Sequence, residues 1–322
     1  MEPVTLGLLA LLALTVALMS GMRIAFATAL CGFAGLWILR GYTPAATLAS
    51  MIPHGHLTSY TLLVLPLFIL MGFFAYYAGI TRDLYWAARQ WLGHLPGGLA
   101  IATIFGSAGF AAACGASTAA AAVMGRVALP ELKRYGYDDK VSTGCVAAGG
   151  TMATMIPPSV LMVIYGFIAE ESIGALLLAG FLPGLLEAFS YSVMLVLRFK
   201  VNPALGPPIK GITWRERWGS LKGIWAMIVL VILVMGSIYI GIATPSEAAA
   251  VGAGGALLLA LPRLNFGKFK HALMETARTT ALIFAIVAGV LIFVHFLGFT
   301  GMPAALAETI VGDELPPMVI LI

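Results

Sequence analysis

Thr151, Thr154 and Ser159 surround two adjacent prolines, Pro157 and Pro158, inside a long apolar run, and Gly150 lies just before them. Two consecutive prolines cannot continue an α-helix, because each lacks an N–H and each pushes its predecessor out of helical geometry. The carbonyls of Ala153 and Thr154 would normally accept from the amides four residues on, and those amides do not exist. An unpaired carbonyl in hydrocarbon costs several kcal/mol, so it survives only against protein, water or an ion. A helix restarting after Pro158 would aim its positive N-terminal end into the same place, with Ser159 as cap. Broken helices of this kind coordinate cations and anionic substrates without a charged side chain. A simple proline kink in a packing helix is the alternative. A second chemistry-bearing stretch, Cys114-Gly115-Ala116-Ser117-Thr118, lies in the uncharged Gly97–Gly125 segment, whose middle is poor in bulky side chains.

The elements that must position these residues are membrane helices. Of the 322 residues, 61% are hydrophobic and only 10% are charged, and the mean hydropathy is +0.99. These values indicate a polytopic, all-α membrane protein. A β-barrel would alternate apolar and polar residues, and the continuous apolar runs exclude that pattern. The net charge of +4 reflects loop topology, with no interleaved basic and aromatic patch for nucleic acid. Cys31, Cys114 and Cys145 sit inside apolar runs without metal-ligand spacing and read as buried thiols. No HExxH or GxSxG motif is present, and Ser117 lacks a histidine partner, so an intramembrane enzyme is disfavoured. No charged ring or filter repeat supports a channel. The N-terminus lacks a basic n-region and reads as a retained first helix.

In chain order, Val4–Ser20 and Ile24–Leu39 are expected spans. Gly41–Tyr60 is expected to be a loop carrying the interfacial His54 and His56. Thr61–Ile80 is a span, followed by an amphipathic arm in which Leu84, Trp86, Ala87 and Trp91 share one side. Arg82 and Arg89 precede the Gly97–Gly125 stretch, and Arg126, Lys133, Arg134 and Lys140 follow it. The positive-inside rule places both flanks in the cytoplasm. The stretch between them is therefore expected to be a re-entrant hairpin with arms of about 12 residues, roughly 18 Å each, short of the roughly 30 Å hydrocarbon core. Its tip is expected at Cys114–Thr118. Val141–Ala169 crosses through the Pro-Pro break, and Ile173–Leu197 returns with Glu187, an intramembrane carboxylate that is either functional or a structural anchor. Residues 198–222, with six basic side chains, form a cytoplasmic loop. Gly223–Ala243 leads to Thr244-Pro245-Ser246-Glu247, where Thr244 and Glu247 have capping-box spacing, and Ala248–Leu261 returns. A second amphipathic segment, Pro262–Thr280, precedes a span at Ala281–Leu297, a turn, a short helix to about Val311 and an apolar run from Pro316. Span, amphipathic arm and small-residue segment thus occur twice, in a first repeat of about 1–172 and an incomplete second repeat of about 223–322 that has no counterpart of the prolines.

PLFILMG at Pro66–Gly72, GASTAAAAVMG, ALPELKRYGYD at Ala128–Asp138, AAGGTMATMIPPSVLMVIYG at Ala147–Gly166, SIGALLLAGFLPGLL, ATPSEAAAV at Ala243–Val251 and ETARTTA at Glu275–Ala281 together resemble the DctM-like large membrane subunit of the TRAP (tripartite ATP-independent periplasmic) transporters. The resemblance covers nearly the whole chain. It implies an elevator-type, inverted-repeat secondary transporter of the bacterial cytoplasmic (inner) membrane, driven by a Na⁺ gradient. The cargo implied is a small organic acid, delivered by a periplasmic substrate-binding protein, and a small four-helix membrane subunit is the implied partner. Carried over by position, the resemblance places a first sodium site at Ser117 with backbone oxygens of Ala153, Ile156 and Pro158. Gly115, Thr118, Gly150, Thr151, Thr154, Pro157 and Ser159 support it, and Thr244, Glu247, Thr279 and Thr280 are candidates in the second repeat. Cys114 and Ala116 depart from a hairpin usually richer in serine, and Ala153 stands where glycine is common. Members of the family usually continue through a second broken helix that this chain lacks, so a partial subunit or non-transporting scaffold is the alternative reading.

Overall fold

A computed structural model describes residues 2–209 and 211–312, and the side chains of 2–209 and 211–308. Among these residues the secondary structure is entirely helical. The apolar run from Pro316 and the loop residue Lys210 lie outside them. Fourteen α-helices follow in order: α1 Pro3–Met19, α2 Ile24–Arg40, α3 Tyr42–Leu57, α4 Val64–Tyr77, α5 Ile80–Leu92, α6 Gly98–Cys114, α7 Ser117–Arg134, α8 Asp139–Thr151, α9 Val160–Ile168, α10 Ile173–Val201, α11 Trp214–Tyr239, α12 Pro245–Ala260, α13 Phe266–Thr300 and α14 Met302–Gly312. Among the described residues, four stretches are long and apolar enough to cross a membrane: Tyr60–Tyr77, Ile173–Val201, Trp214–Tyr239 and Phe266–Thr300. The chain is thus a polytopic α-helical membrane protein.

Several boundaries differ from expectation. Gly41–Tyr60 is not a loop but contains α3: Ala45, Leu48, Ala49 and Ile52 recur at helical spacing, and Ala45, Leu48 and Ala49 join an apolar cluster. Pro44 is tolerated in its first turn, where an amide has no intrahelical partner to lose. α11 starts nine residues before Gly223, because Thr213 and Glu216 form a capping box: Thr213 N–H donates to Glu216 Oε2 at 2.8 Å, and Glu216 N–H to Thr213 Oγ1 at 3.3 Å. The basic loop is correspondingly shorter. The second amphipathic segment and the span after it are one continuous 35-residue helix, α13, since no proline or glycine pair interrupts them. The hairpin arms are 17 and 18 residues long, longer than expected, as α7 continues through the polar Arg126–Arg134.

The chain divides into two compact units, the described residues of Met1–Ser59 with Ala281–Ile322, and Tyr60–Thr280. In the first, Leu6, Leu36, Ala45, Ile292, Phe293 and Phe296 form the buried cluster. The Phe296 ring lies against Gly35, where any Cβ would collide with it. His56 sits in α3, its ring 5.8 Å from that of His295.

The second unit is built around α6, which is buried over most of its length and has α4, α5, α7, α8 and α10 packed on it. The amphipathic arm α5 buries Ile80, Thr81, Tyr85, Ala87 and Gln90, whereas Trp86 is 47% exposed. Of the four residues expected to share one side, Ala87 is buried, Leu84 packs against a buried cluster and Trp91 is half-buried, while Trp86 alone is exposed, as α6 and α11 both cover the arm. Arg89 fastens this arm to the base of α7: it donates to the Tyr135 hydroxyl, pairs with Glu131 at 3.7 Å and stacks over the rings of Trp86 and Tyr135. Asp83 pairs with Arg263 at 2.6 Å. At the foot of the hairpin the Tyr137 hydroxyl accepts from Leu99 N–H and donates to the Pro207 carbonyl. Burial raises the pKa of this phenol above its ordinary value, which keeps the donor in place.

Replacing Phe296 with alanine removes a fully buried ring from the first unit. Dispersion contacts are lost with no compensating collapse, so stability is expected to fall by about 3–5 kcal/mol, read as a lower midpoint in a mixed-micelle SDS titration.

Candidate functional site

The hairpin turns where its glycine permits. α6 ends at Cys114, Gly115 takes φ +65°, Ala116 is extended and α7 opens on Ser117. The Gly115 carbonyl accepts from Val160 N–H, the first residue of α9, at 3.0 Å. A Cβ on Gly115 would strike the Pro158 carbonyl oxygen. The tip and the Pro-Pro break, more than forty residues apart in sequence, are thus joined backbone to backbone. Ser117 and Thr118 stand as the first two residues of α7, and no donor or acceptor meets either hydroxyl among the described residues.

At the break, α8 ends at Thr151 and a 3₁₀ turn, Met152–Thr154, follows. Met155 N–H and Ile156 N–H both donate to the Met152 carbonyl, at 3.1 and 2.8 Å. Pro157 and Pro158 are buried and joined by a cis peptide bond. Ser159, fully buried, does two things: its hydroxyl donates to the Thr154 carbonyl at 2.8 Å and accepts from Met162 N–H at 3.4 Å, capping α9. The Thr154 carbonyl is therefore not orphaned as expected, because a side chain five residues on replaces the missing amide. The carbonyls of Ala153, Ile156 and Pro158 receive no donor among the described residues, and Ala153 is fully buried. Gly150 packs against Ala121 and the Ser117 carbonyl.

The remaining hydroxyls near the break are already committed. Thr154 Oγ1 donates to the Thr151 carbonyl at 2.7 Å. Thr151 Oγ1 faces two acceptors, the Ala148 carbonyl at 2.7 Å and Glu187 Oε1 at 3.0 Å, with the Tyr191 hydroxyl at 3.4 Å. Glu187 of α10 is thereby tied to the last residue of α8, while its Oε2 is buried without a partner.

The second-repeat candidates separate into two kinds. Thr244 and Glu247 form a complete capping box on α12: Thr244 N–H and Oγ1–H both donate to Glu247 Oε2 at 2.8 Å, and Glu247 N–H donates back to Thr244 Oγ1 at 3.3 Å. Their polar groups are thereby spent on the helix start. Thr279 instead lines a crevice of about 140 Å³ with Thr118, Arg126, Tyr76, Tyr77 and Glu275. Thr118, Ala122 and Arg126 are spaced four apart on one face of α7, so this crevice runs roughly 12 Å from the hairpin tip toward the basic end of that helix. The Thr280 hydroxyl is buried without a partner.

Sequence reasoning missed what seats the break. Gly180 and Gly184 of α10 lie one turn apart against Met155 and Ile156. A Cβ at Gly184 would stand 2.8 Å from the Ile156 side chain and 3.2 Å from its amide, so only glycine lets α10 approach. The small-xxx-small spacing in AGFLPG was a visible signal for such a close helix contact.

A family model described as "Tripartite ATP-independent periplasmic transporter, DctM component" matches residues 10–322. Among curated relatives, the C4-dicarboxylate TRAP transporter large permease protein DctM of Pseudomonas aeruginosa is 34% identical over 267 residues, 82% of this chain and 62% of that protein. The sialic acid TRAP transporter large permease protein SiaM of Vibrio cholerae is 33% identical, over 83% of this chain and 63% of its own length. The 2,3-diketo-L-gulonate TRAP transporter large permease protein YiaN of Escherichia coli is 29% identical, over 93% and 69% respectively. The chain thus spans a little over three-fifths of the first two relatives.

Two substitutions separate the joint from the cap. Gly115→Ala places a side chain in left-handed backbone and against the Pro158 oxygen, and is expected to destabilise by at least about 1–2 kcal/mol. Thr244→Ala is expected to cost about 1 kcal/mol, equally in sodium and potassium, as befits a cap and not a ligand; both are read from SDS denaturation midpoints.

Proposed function

Since the chain belongs to the DctM family of TRAP transporter large permeases, we propose that it serves gradient-driven uptake of a small organic acid across the bacterial cytoplasmic membrane, with Na⁺ as the coupling ion. The observation that carries this reading is the junction of Gly115 with Val160. It joins the hairpin tip, where the Ser117 hydroxyl has no partner among the described residues, to the broken helix, where the carbonyls of Ala153, Ile156 and Pro158 receive no donor; in this reading these oxygens make up the cation site. The donor set is oxygen only, without thiolate, imidazole or carboxylate, which suits a hard monovalent cation replacing its hydration shell with main-chain dipoles. The cation's charge would in turn offset the dehydration cost of carbonyls that no amide satisfies.

In this reading the organic acid lies beside the tip, toward Thr118, Thr279 and Arg126 in the crevice that Glu275 also lines. A guanidinium binds a carboxylate as a planar fork, and hydroxyls complete its contacts. Cation and anion in adjacent places each raise the affinity for the other, which is what symport requires. The hairpin and broken helix move as one body in an elevator step. A periplasmic substrate-binding protein and a small four-helix membrane subunit complete the assembly. Relatives act, by their names, on C4-dicarboxylates, sialic acid and diketogulonate; the cargo here belongs to that broad class of small organic acids.

The test is thermal unfolding of the purified protein with its small subunit, in sodium against equimolar potassium. Sodium-specific stabilisation is expected, and Ser117→Ala is expected to weaken it at least tenfold in half-saturating concentration, about 1.4 kcal/mol. Equal stability in both salts for both proteins would count against the site. Pro157→Ala with Pro158→Ala is expected to return to the Ala153 carbonyl the amide that it lacks and to abolish uptake; unchanged sodium-coupled uptake would overturn the mechanism.

A further inference from the structure

Away from the hairpin junction, α8, α10 and α6 enclose a cavity of about 210 Å³. From α8 it is lined by Lys140, Gly144, Cys145 and Ala148, and from α10 by Tyr191, Met194 and Arg198. Lys140, Gly144 and Ala148 on α8 are four apart, with Cys145 beside Gly144, and Tyr191, Met194 and Arg198 on α10 are three and four apart, so each helix presents one face to the space. Lys140 and Arg198 stand at one end and the apolar side chains at the other. Neither cation has an ion-pair partner or a side-chain hydrogen bond among the described residues. The neighbouring acids do not neutralise them: Asp138 caps α8 by accepting from the amides of Lys140 and Val141, and Asp139 pairs with Lys133 at 3.5 Å. Gly144 leaves the space open, since a Cβ there would meet nothing within 4 Å. The outer side of α10 bears exposed Val193, Met194 and Leu197.

We propose that this cavity holds one anionic phospholipid of the cytoplasmic leaflet, its phosphate between Lys140 and Arg198 and the first carbons of one acyl chain against Cys145, Ala148 and Met194. Two unpaired cations above an apolar slot between membrane helices match the two ends of such a lipid. The volume is below the roughly 300–1,000 Å³ of a small-molecule pocket, so only the upper part of a chain enters, and the remainder follows the exposed apolar side of α10. A small dicarboxylate would find only the Tyr191 hydroxyl, which already faces Thr151 Oγ1 at 3.4 Å, for its second end.

Binding of phosphatidylglycerol and phosphatidylcholine to the detergent-purified protein, counted by native mass spectrometry, tests this. Two basic groups predict roughly 30-fold preference for phosphatidylglycerol, falling about fivefold with each of Lys140→Gln and Arg198→Gln. In nanodiscs, alkylation of an introduced Ala148→Cys, at a half-buried position lining the cavity, followed by peptide mass spectrometry, is expected to be slower in phosphatidylglycerol than in phosphatidylcholine. Gly144→Leu fills open space without touching the charges and is expected to remove that lipid dependence. Equal labelling in the two lipids, or protection that survives both charge substitutions, would overturn the proposal. So would protection given equally by free inorganic phosphate, which would assign a soluble anion, or protection that appears only when the small membrane subunit is added whatever the lipid, which would assign a protein surface.

Discussion

The amide of Val160 has no partner on its own helix, and the carbonyl of Gly115 ends a helix with nothing beyond it to accept from. Their hydrogen bond at 3.0 Å satisfies both, and in doing so brings a hairpin tip and a helix break into one place. Around it, every other requirement is negative: Gly115 must carry no side chain, Gly184 must let α10 close on Ile156, and Pro157 and Pro158 must withhold their amides. The lattice of helices about α6 exists to hold two irregular pieces of backbone in register, in an environment where irregular backbone is tolerated only when enclosed by protein.

Ser159 shows how narrowly the break is managed. One hydroxyl donates to the Thr154 carbonyl and accepts from Met162 N–H, so a single small side chain closes one helix and opens the next. It reduces the number of unmet carbonyls without removing them all. Thr151, by contrast, reaches sideways to Glu187, which ties α10 to the end of α8 through a carboxylate whose second oxygen is unmet and buried.

Much of this was legible in the residues. Pro157-Pro158 announced the break, Gly115 the turn, and Thr244 with Glu247 the start of α12, because each is a local rule of backbone chemistry acting over a few positions. What the sequence concealed was tertiary. Nothing local says that Ser159 would donate to Thr154, or that Tyr85 and not Trp86 would face inward on α5, since both depend on which helices arrive from elsewhere in the chain. The α3 segment was hidden by its two prolines, Pro44 and Pro53, and its histidines, whose usual home is a loop, and α13 by a change of polarity halfway along a continuous helix.

The oxygens left open at Ala153, Ile156 and Pro158 belong to the main chain, and a main-chain oxygen is the same whichever side chain it accompanies. Substitution at Ala153 or Ile156 changes packing but leaves the dipoles in place, whereas the side chains along the α7 crevice present their own chemistry directly. The two halves of this region therefore answer to different mutational rules. One is written in backbone shape and answers to changes that reshape the backbone, at Gly115, Pro157 or Pro158, more than to side-chain swaps at Ala153 or Ile156, and the other is written in functional groups that can be changed one residue at a time.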